Sequence, residues 1–148
     1  MRLVATNEGA WIVGWRLRFD ERTPDSLKNW LCEDWRVFDA GHLPTDALAV
    51  VLPGSAGDGA GAAEPRSRRI LTVDDHELAL EQRADEYLLE GADGGCRFSM
   101  PSSGLVQVLF WGARPHVPVY TALSEIFRAS GWISVHASGV VTDGPLPG

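Results

Sequence analysis

Lysine is almost absent from this sequence, because twelve of its thirteen basic residues are arginines and Lys28 is the only lysine. The twenty acidic residues outnumber the basic ones and give a net charge of −7, whose field repels the phosphates of nucleic acids. Arg66, Arg68 and Arg69 form the only short basic group. We therefore expect no nucleic-acid partner, and chemistry that needs a lysine has only Lys28 to use.

Cysteine and long apolar runs are also scarce. Cys32 and Cys96 are the two cysteines, and their distant positions argue against a disulfide framework and a zinc ribbon. No segment approaches the roughly 18 apolar residues of a membrane span, and the first residues lack the charged-then-apolar order of a signal peptide. These absences predict a soluble, cytoplasmic protein with no membrane partner.

The 148 residues suit a single domain, 1–148, with a β-rich body over residues 1–112. Apolar and β-branched runs separated by Asp, Gly and Pro-Ser signals predict an antiparallel meander in its middle. A Gly/Ala/Ser/Pro-rich stretch predicts a flexible loop over residues 54–68. The predicted strands are Ala10–Phe19, Ala47–Leu52, Arg69–Val73, His76–Glu81, Glu86–Glu90, Arg97–Met100 and Gly104–Trp111.

Two segments have helical periodicity. Thr23 and Pro24 resemble an N-cap followed by a first-turn proline, which predicts a helix from Pro24 to about Asp34. Val119–Ser130 places Tyr120, Leu123, Ile126 and Phe127 on one face and forms, with the strand-type residues after it, a helix plus strand pair over 117–144. The predicted fold class is α+β: a mostly antiparallel β-sheet with two helices.

The segment Gly131–Gly144, with the sequence GWISVHASGVVTDG, carries a family resemblance. It is similar to the stretch just before the P-loop in HPr kinase/phosphorylase and its HPr-serine-kinase-like relatives, which continue from a His-Ala-Ser strand to Asp-Gly. The amphipathic helix Tyr120–Arg128 precedes it at the family's distance. The resemblance implies that the chain is the N-terminal part of an HPr-kinase-like (PEP-carboxykinase-like) P-loop domain.

Complete relatives use ATP and magnesium, held by a glycine-rich loop with Gly-Lys-Ser or Gly-Lys-Thr. This sequence instead ends in Pro145-Leu146-Pro147-Gly148, and Lys28 has no glycine run before it. A P-loop needs successive backbone N–H groups, a lysine and a hydroxyl. We therefore expect no cofactor for this chain and no kinase activity by itself, as in a truncated, degenerate or split protein whose partner would be a second chain supplying the P-loop half.

His136 is the candidate catalytic residue that the resemblance carries over, because the family's histidine lies near the nucleotide phosphates and could transfer protons. Without a P-loop, a strand histidine with local hydrogen bonds is the competing interpretation. Ser138 points to the same strand face. A free-standing enzyme that uses His136 with Ser138 is a third hypothesis, although no further residue is placed to orient the histidine.

Other motifs favour structural interpretations. The glycines of 57–62 fit a dinucleotide fingerprint, but Pro53-Gly54 and Glu64-Pro65 break the strand and the helix that it needs. Residues 74–77 read DDHE and favour a solvated hairpin turn over a metal site, because adjacent strand residues alternate faces. His42 and His116 have no partner at ligand spacing, and Cys96 suits a small buried hydrophobe better than a nucleophile.

The six tryptophans carry the alternative function, a small binding or adaptor module that recognises a peptide or protein partner. Trp11 and Trp15 would share one face of the first strand. If exposed, they could form a stacking platform for a sugar or a peptide, and if buried, they fill the core.

Overall fold

The computed structural model describes residues 10–12, 15–35, 47–55, 64–100 and 104–129. Within them lie eight strands and two helices. The strands are β1 (Ala10–Ile12), β2 (Trp15–Phe19), β3 (Leu48–Pro53), β4 (Ser67–Val73), β5 (His76–Arg83), β6 (Glu86–Glu90), β7 (Gly94–Ser99) and β8 (Leu105–Gly112). The helices are α1 (Asp25–Trp35) and α2 (His116–Ala129).

All eight strands belong to one mixed sheet in the order β1-β2-β3-β8-β7-β6-β5-β4. Strands β2, β3 and β8 run parallel to one another, and every other neighbouring pair is antiparallel. The α+β class, with a mostly antiparallel sheet and two helices, is confirmed. The predicted meander is confirmed as well, because β4 to β8 pair consecutively.

Three details differ from the sequence-based expectations. The single strand predicted over Ala10–Phe19 is two strands, since Ile12 pairs with Trp15 and the chain reverses between them. Pairing of β3 with the distant β8 was not predicted, because register between remote strands depends on tertiary packing. Strand β4 begins at Ser67, inside the loop predicted over 54–68.

The predicted N-cap of α1 was also wrong. The amides of Leu27 and Lys28 donate to the carbonyl of Pro24, so Pro24 occupies the cap position. The Thr23 hydroxyl is buried and donates instead to the Val51 carbonyl, at 3.3 Å. This bond ties the connection after β2 to the end of β3.

The core lies between one face of the sheet and the two helices. Strand β2 alternates strictly, with its apolar residues buried and Arg16 and Arg18 exposed. Of the four apolar residues predicted for the α2 face, three are buried and Tyr120 is half-buried. Each fully buried large side chain contributes about 1.5–3 kcal/mol. The largest fully buried side chains are Leu17, Leu27, Leu31, Leu78, Leu89, Leu123, Ile126, Val51, Val108, Val119 and Cys96.

No helix among the described residues has the length and apolar character needed to cross a membrane.

Candidate functional site

The three parallel strands end at one edge of the sheet, which we call the carboxyl edge. Strands β2, β3 and β8 finish there at Phe19, Pro53 and Gly112. Helices α1 and α2 follow β2 and β8, so the first turns of both helices lie at the carboxyl edge. In sheets with parallel strands, ligands bind most often at this edge.

His116 begins α2 and faces the first turns of α1. Its ring centroid lies 5.6 Å from that of Trp30, edge to face at 78°. Burial lowers the pKa of His116 and the positive charge of Arg114 lowers it further, against a hydrogen bond to the Ser26 backbone that raises it. The imidazole is therefore mostly neutral at pH 7 and can accept a proton.

Tyr120 extends this arrangement by one helical turn. The Trp30 and Tyr120 ring centroids are 5.6 Å apart with the rings inclined by 68°. Trp30 is 37% exposed, so its indole is accessible to solvent beside the histidine. Trp30, His116 and Tyr120, which we call the edge cluster, combine a planar apolar surface with a neutral base and a phenol.

Charged residues of the β2–α1 connection lie at the same edge. The Arg22 guanidinium donates to Asp20 at 2.8 Å, and this hydrogen bond is the main cause that lowers the pKa of Asp20. Because Arg22 is exposed and Asp20 is only half-buried, this pair between residues two apart contributes little to stability. The Asp20 carboxylate reduces the positive charge that Arg22 would offer to a ligand.

Lys28 lies in a strand–loop–helix order that superficially matches a P-loop. It lies on α1, after β2 and the glycine-free connection DERTP. The residue is only 5% exposed, and its Nζ lies 3.5 Å from Asp25 Oδ1. A buried ammonium beside a carboxylate is not positioned to grip an incoming polyphosphate.

Most residues singled out by the resemblance lie outside the described residues. This holds for His136 and Ser138, and for the whole segment Gly131–Gly144. The glycines of 57–62 and His42 also lie outside. The catalytic role of His136 stays a prediction.

The solvated turn predicted at residues 74–77 is present, because Asp74 and Asp75 form an exposed turn with φ of 47° and 63°. Cys96 is fully buried, and burial strongly raises the pKa of its thiol. The Trp15 ring packs in the core, with its centroid 6.3 Å from that of Phe127, so Trp15 cannot form half of an exposed stacking platform. The side chain of Trp11 lies outside the described residues.

Sequence reasoning missed the edge cluster. It set His116 aside for want of a ligand partner, although His116 and Tyr120 are four residues apart and therefore share a helix face. That spacing was a visible signal. The approach of Trp30 from α1 was not visible, because it depends on how the two helices pack.

No protein-family model matches this chain, and no curated protein or solved structure is significantly similar to it.

Proposed function

We propose that this chain is the N-terminal, P-loop-lacking portion of an HPr-serine-kinase-like ATP-dependent kinase and is inactive by itself. The observation that carries the proposal is α2. This amphipathic helix, expected directly ahead of the family's pre-P-loop segment, is formed and ends at Ala129, two residues before Gly131. The segment is thus attached to the folded body through a helix whose apolar face is buried.

The position of Lys28 supports the proposal that the chain is inactive by itself. It is the only lysine, and its ammonium is buried beside Asp25. The lysine and glycine-rich loop that hold ATP and magnesium would therefore come from a second chain or from sequence beyond these residues. His136 would then act as the catalytic residue that this portion contributes.

Calorimetry with ATP and magnesium tests the proposal on the isolated chain. We expect no magnesium-dependent binding, and a dissociation constant on the order of micromolar would contradict the proposal. The coding sequence immediately downstream supplies an independent check. A short apolar strand followed by G-x-x-x-x-G-K-[ST] in the same or a separate frame is the expected finding.

The catalytic assignment needs the completed protein. When the chain is joined to or co-expressed with such a P-loop half, His136→Ala should abolish phosphoryl transfer and leave ATP binding intact. His42→Ala is the matched control and should retain activity. Equal activity of both variants would remove His136 from the catalytic site.

A second candidate is a peptide- or protein-binding module, which the edge cluster favours. Trp30 is a partly exposed indole at the edge where ligands bind to parallel strands, whereas the predicted platform fails because Trp15 is buried. Screening a peptide library for changes in tryptophan fluorescence tests this function. Trp30→Ala should lose any binding found, while Leu105→Ala, at an exposed site on β8, should keep it.

We place the protein in the cytoplasm within this proposal. Cys32 and Cys96 are both free, and Cys96 is buried. Free thiols are usual in a reducing compartment.

A further inference from the structure

Strand β4 is the last of the described strands in the sheet. Its seven residues pair with β5, and no described strand lies beyond it. The strand contains no proline, and its first four residues are exposed. Ile70 at its centre is 61% exposed, the highest value among the large apolar residues that the structure describes. An exposed edge strand of this length is a template for pairing with another chain.

The β4–β5 turn determines which backbone groups of β4 face outward. Asp74 and Asp75 form a two-residue connection with positive φ, so the flanking pair Val73–His76 is hydrogen-bonded. Hydrogen-bonded pairs alternate along an antiparallel ladder, so the pair Ser67–Gln82 is hydrogen-bonded as well. This agrees with the Gln82 carbonyl, which faces β4 and accepts a hydrogen bond from the Arg66 amide. The N–H and C=O groups of Arg68, Ile70 and Thr72 therefore point away from β5.

Charge is unevenly distributed along the β4–β5 hairpin. Arg66, Arg68 and Arg69 lie at its open end, where Arg68 is held 3.6 Å from Glu81. Asp74, Asp75 and Glu77 lie at its turn. Arg66 and Asp74, which flank the two ends of β4, therefore carry opposite charges.

We propose that β4 pairs antiparallel with β4 of a second copy of this chain, about a twofold axis at Ile70. In this register Ile70 pairs with Ile70, and Arg68 with Thr72, of the second copy. The outward N–H and C=O groups of the two strands then form three hydrogen-bonded residue pairs with two hydrogen bonds each, about six in all. The same register brings Arg66 of each copy next to Asp74 of the other, so the uneven charge becomes complementary.

This charge pattern selects the second copy over other occupants. An antiparallel twofold arrangement keeps the arginines of the two copies apart, whereas a parallel one would place them side by side. A uniformly acidic peptide would be repelled by Asp74 and Asp75 of the β4–β5 turn. Pairing of single strands covers less than the ~1,000 Å² of a stable specific interface, so the dimer should depend on protein concentration.

Cysteine cross-linking tests the register in a Cys32→Ser background, where the buried Cys96 is unreactive. Under a mild oxidant, Ile70→Cys should form a disulfide-linked dimer, because paired residues lie about 5.5 Å apart. Thr72→Cys is the matched control on the same strand. Its symmetry mate lies four residues along the ladder, roughly 13 Å away, and it should not cross-link. Cross-linking of Thr72→Cys but not Ile70→Cys would overturn the register.

Sedimentation equilibrium over a concentration series tests the association itself. Wild-type protein should shift from monomer to dimer, and Ile70→Lys should stay monomeric because it places like charges opposite each other. Leu105→Lys, at an apolar site 53% exposed on the inner strand β8, is the control and should still dimerise. A wild-type monomer at the highest soluble concentration, or a dimer unaffected by Ile70→Lys, would refute the proposal.

Discussion

The parallel strands of this sheet and its antiparallel edge strand β4 differ in how deeply they are buried. Leu17, Val51 and Val108, on the three parallel strands β2, β3 and β8, are completely buried on the face that the helices cover. At the other end of the same sheet, most of β4 is exposed. Helix α2 packs on β6, β7 and β8. Among the described elements, the sheet is buried across its middle and exposed at β4, because the two described helices do not cover all eight described strands.

Truncating one large apolar side chain in each part should give the largest difference. Leu17→Ala removes a fully buried side chain beneath the helices and should lower the free energy of unfolding by about 2–5 kcal/mol. Ile70→Ala, on the exposed edge, should change it by less than about 0.5 kcal/mol. Urea unfolding followed by circular dichroism, at a concentration where the protein is monomeric, measures both. Equal losses would show that the edge is as well packed as the centre.

The next most sensitive position should be Gly112, where the parallel strand β8 meets the antiparallel strand β7. Gly112 ends β8 with φ of 90°, and a Cβ there would lie 2.5 Å from the Asp93 carbonyl oxygen at the start of β7. Gly112→Ala should therefore cost about 2–3 kcal/mol through strain and displaced backbone.

Gly104→Ala is the matched control for that substitution. Gly104 also has positive φ, 72°, but a Cβ there would have its nearest neighbour at 3.8 Å. The expected cost is only about 1 kcal/mol of backbone strain. If the two glycine variants lose the same stability in the urea experiment, close packing at Gly112 is not what requires glycine.

The smallest change in stability should come from protonation of His116, which lies where α1 contacts α2, as the pH falls. The folded state lowers the pKa of His116 below its usual 6.5, so the unfolded chain takes up the proton first as the pH falls. The contribution of neutral His116 to the free energy of unfolding is fully present above pH 6.5. It is lost as the pH falls towards the lower pKa of the folded state. The folded state also lowers the pKa of Asp20, so its contribution to stability is likewise lost on acidification, but only below pH 3.8.

Urea unfolding at about pH 7.5 and 5.5 isolates this contribution. Wild-type protein should lose more stability on acidification than His116→Gln, because the other titrating groups remain in both proteins and cancel in the comparison. An identical loss in the two proteins would mean that His116 does not sense the packing of α1 on α2.

Local patterns predicted much of the secondary structure. The alternation in β2 and the meander from β4 to β8 follow from strand periodicity and turn residues. The face of α2 formed by Leu123, Ile126 and Phe127 follows from a period of 3.6. The division of Ala10–Phe19 into two strands was missed because both halves carry the same apolar character.

The candidate site was less predictable than the fold. His116 and Tyr120 share a helix face that the sequence shows, but Trp30 joins them only when α1 packs beside α2. The Thr23 hydroxyl does not cap α1, because a buried hydroxyl needs a hydrogen-bond partner and here donates to the Val51 carbonyl on β3.

The sequence by itself determined the α+β class, the amphipathic face of α2 and the presence of a single lysine, Lys28. Each of these depends on residue type and on spacings of a few residues, which local physics controls. The tertiary structure decided that β3 lies between β2 and β8, that Lys28 is buried beside Asp25 and that no described strand pairs with the outer side of β4. Those outcomes depend on which distant segments compete for the same buried surface, and spacing along the chain does not encode that competition.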